Sequence, residues 1–177
     1  NQRNFVGSYY DLKYPHGSIR AGLNAIIDTV RIAHERKVPI YAVEYITQWS
    51  DGEEQTCCSL QPYVPEENRY PKHSLSAFNG KYCKLADRME ADKCEHLMVV
   101  GYDRDDCVLQ TIRDAVGCGI TVVTSEHCML TLDRDNRRQS SLDYFKKNTL
   151  FLENLTDVWN YILKAKEKNP CCQSIRI

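Results

Sequence analysis

The sequence predicts an α/β fold, a doubly wound, mostly parallel sheet with helices on both faces. Three observations predict it. Short β-branched runs alternate with amphipathic helical stretches along most of the chain, an order that calls for parallel strands joined by right-handed crossovers. Leu97 to Val100 is continuously apolar and Ile120 to Thr124 is β-branched throughout, as strands covered on both faces tend to be. Finally, 177 residues at 42% hydrophobic and 27% charged can bury one core and are too few for two comfortable domains.

Taken in order, Ile19, Leu23, Ile26, Ile27, Val30 and Ala33 recur at helical spacing behind Ser18, which predicts an amphipathic helix over 18–36 with Ser18 as its cap. Residues 38–45 read as a buried strand. Between 47 and 71, Gly52, Pro62, Pro65 and Pro71 interrupt a polar stretch with neither period, so a long loop or irregular insert is expected, of the kind that covers a site. A helix follows over 81–92, a strand over 96–101, and a helix over 106–116 ended by Gly117 and Gly119.

The alternation then continues with a strand at 120–125, a helix at 134–147, a short strand at 150–153 and a helix at 156–166. Asn154-Leu155-Thr156 fits a glycosylation sequon, but Asn154 or Thr156 is better read as the cap of that helix. Residues 1–166 are thus expected to form one domain and 167–177 a polar tail. A doubly wound sheet opens with a strand, whereas this chain opens with a turn-rich stretch near Gly7 to Gly17; a first strand is therefore expected ahead of Asn1.

Charge narrows the function. The 23 basic and 24 acidic residues nearly cancel, and no basic run interleaved with aromatics marks a nucleic-acid surface. No apolar stretch reaches the roughly 18 to 20 residues that cross a bilayer, and the opening residues lack the pattern of a signal peptide. Small molecules or protein surfaces are the expected partners, a small-molecule substrate first, and the location is expected to be cytoplasmic, with no nucleic acid and no membrane. Nine cysteines, an odd number without a repeated zinc spacing, argue for reduced thiols. Neither adjacent pair, Cys57-Cys58 or Cys171-Cys172, is a good chelator, so no metal and no cofactor are expected.

The chemistry concentrates in Gly101-Tyr102-Asp103-Arg104-Asp105-Asp106-Cys107-Val108, which carries a strand into a helix opening near a cysteine. Outward N–H groups and the helix dipole favour a thiolate there and can hold a developing oxyanion. Against this, a cysteine is often just a small buried hydrophobe, and Asp103, Asp105 and Asp106 oppose a nearby negative sulfur. A cation from elsewhere in the chain has to compensate.

These residues resemble the isochorismatase-like cysteine hydrolases, the superfamily of nicotinamidase, N-carbamoylsarcosine amidohydrolase and isochorismatase. Val99 to Val108, with Thr111, Asp114-Ala115 and Gly119, is similar to the family's glycine, nucleophilic cysteine and succeeding helix. Lys72-His73-Ser74-Leu75-Ser76-Ala77-Phe78 resembles its lysine and serine-alanine-phenylalanine run, and Gln2-Arg3-Asn4-Phe5-Val6 the tail of its opening aspartate motif. In that register the aspartate falls immediately before Asn1.

The resemblance implies a Rossmann-like three-layer fold and an amidohydrolase built on a catalytic triad. Cys107 would be the nucleophile, Lys72 the cation that keeps it charged, and the aspartate the proton shuttle. It also implies a cis peptide between Tyr102 and Asp103 that aims the Asp103 and Cys107 amides at the oxyanion, and a homo-oligomer. By position Glu44, Tyr45 and Trp49 would line the substrate pocket; the absence of histidine from Glu44-Tyr45-Ile46-Thr47-Gln48-Trp49 speaks against a nicotinamidase-like metal site. His73 reads as a partly exposed loop histidine. Asp103 and Arg104 depart from the family's small residues or threonine. Two alternatives stay open: a vinyl-ether hydrolase that uses the acid without the thiol, and a catalytically weakened member acting as a binding protein.

Overall fold

The computed structural model describes residues 16–45, 59–81, 83–131, 137–168 and 173–176. Within them, helix α1 (His16–Glu35) leads into strand β1 (Ile40–Tyr45), and β2 (Arg69–Lys72), α2 (Leu85–Ala91), β3 (His96–Val99) and β4 (Gly101–Tyr102) follow. Next come α3 (Leu109–Gly117), β5 (Thr121–Thr124), β6 (Met129–Leu130), α4 (Arg137–Asn148), β7 (Leu150–Phe151), α5 (Leu155–Lys168) and β8 (Gln173–Arg176). Six strands form one sheet in the order β2-β1-β8-β3-β5-β7, every adjacent pair parallel. The predicted α/β class is the observed one.

The helices form where one face can be buried. Ile26, Thr29, Val30 and Ala33 of α1 are all buried, a stripe at the i, i+3, i+4, i+7 spacing, and the helix closes on Lys37 at φ 54. It begins at His16, so Ser18 lies inside the helix and is not its cap. Helix α3 stops where Gly119 takes φ 79 and Ile120 N–H returns to the Ala115 carbonyl at 3.1 Å, the left-handed ending that glycine permits at least cost. Asn154 caps α5: its Oδ1 accepts the Asp157 N–H at 2.9 Å.

Leu97, Met98 and Val99 of β3 and Val122 and Val123 of β5 are buried and, with Ile112, Ala115, Phe145, Val158 and Ile162 from the helices, form one core. Two strands depart from expectation. Strand β2 lies within the stretch expected to be irregular, and Pro71 concealed it. Since β2 is the outer strand of the sheet, the missing N–H of Pro71 can face away from β1, where an edge strand tolerates it.

The second departure is the C-terminal segment. Residues 167–177, expected as a polar tail, contain β8, which inserts between β1 and β3 with Ile175 opposite both Ile40 and Met98. Gln-Ser-Ile-Arg offers one apolar side chain, too little for a periodicity signal; main-chain pairing to both neighbours defines the strand. The first strand expected ahead of Asn1 lies outside the described residues.

A separate two-stranded ladder, β4 with β6, pairs Gly101 with Met129 and Tyr102 with Leu130. Helix α1 sits directly on it: a Cβ at Gly22 would collide with Leu130 Cδ2, so the missing side chain permits the approach.

Candidate active site

Parallel strands place all their carboxyl ends on one edge of the sheet, and loops leaving that edge build the site. Tyr45 and Lys72, the last residues of β1 and β2, are register partners there. From the same edge β3 runs through Gly101 into the turn that carries Cys107.

That turn is wider than predicted. Residues Arg104–Val108 form a π-helical turn and α3 proper begins at Leu109, where the sequence predicted a helix from 106. Asp103 starts the turn twice over: its side chain accepts the Asp105 N–H at 3.2 Å, and its carbonyl accepts the Val108 N–H at 2.9 Å. The Tyr102–Asp103 peptide is cis, where the family resemblance locates it. Cys107 is half-buried, and it sits in the opening turns where helix amides lack internal acceptors.

Lys72 is not the solvated surface lysine that its residue type suggests. It is 5% exposed, and its Nζ donates to the Leu75 carbonyl at 2.6 Å, so the chain after β2 folds back over it. Burying an ammonium is costly unless partners meet it, which makes this position informative. The loop continues to Ala77, whose N–H donates to Thr111 Oγ1 at 3.2 Å. Thr111 is one helical turn beyond Cys107, so the loop behind Lys72 is fastened to the helix behind the thiol.

Of the expected pocket residues, Glu44 is half-buried near the end of β1. Tyr45 closes that strand by its backbone, and Trp49 lies outside the described residues. Tyr102 is exposed, as are Leu75, which follows the lysine, and His73. Among the described residues no group of histidine, cysteine, aspartate and glutamate could hold a metal, and no helix is long and apolar enough to cross a membrane.

Sequence reasoning missed what lies behind the turn. Arg104 is 1% exposed and grips Asp105 through Nε at 2.8 Å and Nη2 at 3.1 Å. Thr131 Oγ1 donates to the same carboxylate at 2.6 Å, Ser141 Oγ donates to it as well, and Arg104 Nη1 reaches Glu126 at 3.3 Å. Burial alone would raise the Asp105 carboxyl; the hydrogen bonds from Arg104, Ser141 and Thr131 outweigh it and hold the group below its ordinary value. The only signal in the sequence was an adjacent Arg-Asp pair between an apolar strand and a helix. Nothing local marked Thr131 or Ser141.

The fold and this edge define a three-layer α/β class with a cysteine at a helix opening at the carboxyl ends of the strands. The Isochorismatase domain model matches residues 2–157, and the chain belongs to the isochorismatase family, a family of hydrolases. No curated protein matches it significantly. Among solved structures, a putative isochorismatase from Burkholderia xenovorans LB400 superposes with a TM-score of 0.73 at 17% identity, covering 98% of this chain and 87% of that one. An isochorismatase-like hydrolase from Alkaliphilus metalliredigens gives 0.68 at 16% identity over 92% and 93%. The nicotinamidase of Staphylococcus aureus gives 0.63 at 16% identity over 77% and 88%. At such identities the likeness establishes the fold.

Proposed function

We propose that this chain is a cysteine hydrolase that cleaves a C–N, amide-like bond of a small molecule through a thioester on Cys107. One observation carries the reading: the half-buried thiol opens a helix that is hydrogen-bonded, through Thr111 and Ala77, to the loop covering buried Lys72. A thiolate adds to the carbonyl carbon, and amide N–H groups at the opening of the turn donate to the oxygen on which charge develops. The C–N bond breaks as an acid protonates the departing nitrogen; water then adds to the thioester, giving a carboxylate and restoring the thiol. The resemblance implies an aspartate for both proton transfers. Lys72 supplies the positive charge that offsets the neighbouring carboxylates.

Asp103 supports an active site over a weakened one. Its carboxylate is turned to the Asp105 N–H, a partner within its own turn. The amide-like substrate class rests on the family resemblance carried by Cys107 and Lys72, and the enzyme is proposed to work in a reducing compartment as a homo-oligomer. Ammonia release from a panel containing nicotinamide and N-carbamoyl amino acids tests the reading. Turnover that Cys107→Ala abolishes supports it, whereas isochorismate cleavage that survives Cys107→Ala favours the vinyl-ether reaction.

A further inference from the structure

We infer that Arg104 is a positioning residue for Cys107, its buried pairing with Asp105 fixing the turn on which the thiol is presented. The inference rests on the reading of Cys107 as nucleophile and extends it to a group that substrate does not meet. Arg104 is 1% exposed, and its fork is spent on Asp105 and Glu126.

Stability is a poor reason for such a pair. Removing two charges from water costs about as much as their attraction returns, and often more. Its location gives a better one. Besides Arg104, the Asp105 carboxylate is held by Thr131 and Ser141, 26 and 36 residues further along the chain. The segment after β6, the first half of α4 and the turn after β5 that bears Glu126 thus converge on the two residues that precede Asp106-Cys107.

The backbone completes the clamp. Val108 N–H bonds to the Asp103 carbonyl and Leu109 N–H to that of Arg104, so Cys107 lies in a turn anchored by side chains at one end and main-chain bonds across it. The guanidinium also balances the Asp105 charge, which would otherwise stand unneutralised two residues from the sulfur and oppose a thiolate.

The test is the rate of iodoacetamide alkylation at Cys107 relative to exposed Cys118, read by peptide mass spectrometry, with circular dichroism and thermal melting of each variant. Arg104→Lys keeps the charge and loses the bidentate fork. The pair Arg104→Met with Asp105→Asn removes both charges together, leaving none buried alone. Both are expected to lower the Cys107:Cys118 ratio by about tenfold at an unchanged fold, since alkylation follows the thiolate fraction, which a displaced sulfur loses with its favourable amides and cation.

Should either variant not fold, Thr131→Val against Thr131→Ser decides. Loss of the hydroxyl is expected to lower the ratio about tenfold, the low end of what a hydrogen bond to a charged group contributes, and serine is expected to restore it. A wild-type Cys107 that labels no faster than Cys118 overturns both the nucleophile reading and this inference. A fast wild-type Cys107 with ratios unchanged in folded Arg104 variants, or in Thr131→Val, overturns this inference alone.

Discussion

The Ala77 N–H donates to the Thr111 hydroxyl across 3.2 Å, and both residues are buried. The bond spans 34 positions of sequence and is the described link between the loop that covers Lys72 and the helix that follows Cys107. Its loss should therefore register in stability and in the site together. In Thr111→Val the shape is kept and the acceptor removed, leaving a buried amide unpaired. Unfolding in urea should show a loss of about 1–3 kcal/mol, accompanied by slower alkylation of Cys107; a stable variant with an unchanged thiol would break the proposed link.

Gly101 joins β3 to the reactive turn at φ 142, a backbone that residues with a Cβ rarely adopt. Gly101→Ala is expected to cost about 1–3 kcal/mol and to disturb the Gly101–Met129 pairing. Chemical denaturation gives the first quantity. Amide protection of Leu130 and its neighbours, measured by hydrogen exchange, reports the second.

Alkaline pH should weaken the fold through Cys128 and Tyr41. Burial pushes the Cys128 thiol up to about 12, against a small opposing effect of the Ser125 backbone. Burial, then the hydrogen bond to Asp92 at 2.5 Å, raises the Tyr41 phenol to about 12 as well. In the unfolded chain these groups ionise near pH 9 and 10 respectively. Both folded values are raised, so the stability they contribute is complete below the unfolded values and is lost as pH climbs toward the folded ones. Between about pH 9 and 12 the Cys128 contribution falls by ~1.4 kcal/mol per pH unit. Urea melts of Cys128→Ala should show a shallower decline over that window than the wild type.

The sequence carried the alternation, the parallel class and the two chemical loops, because buried strands and amphipathic helices leave a local imprint. Residues 97–100 could hardly be anything but a strand, and Asn154 named its own helix. What escaped had no local imprint. Strand β2 was hidden by Pro71, which only its edge position makes acceptable, and β8 by a polar composition that acquires meaning only from its two neighbours. The same holds in the site. Cys107 and Lys72 stood out by spacing and family likeness, whereas the Asp105 carboxylate is completed by Thr131 and Ser141, whose selection depends on three-dimensional proximity. The π-helical turn likewise depends on Asp103 capping from outside the helical pattern.

Site-resolved alkylation of the wild type beside Lys72→Met is the most direct trial of the central claim, that a buried ammonium sustains a reactive sulfur at the carboxyl edge of the sheet. Cys107 should react with iodoacetamide at least about tenfold faster than exposed Cys118, and Lys72→Met should erase that preference. Equal labelling of the two thiols in the wild type, or a preference that survives the loss of the lysine, would contradict the account.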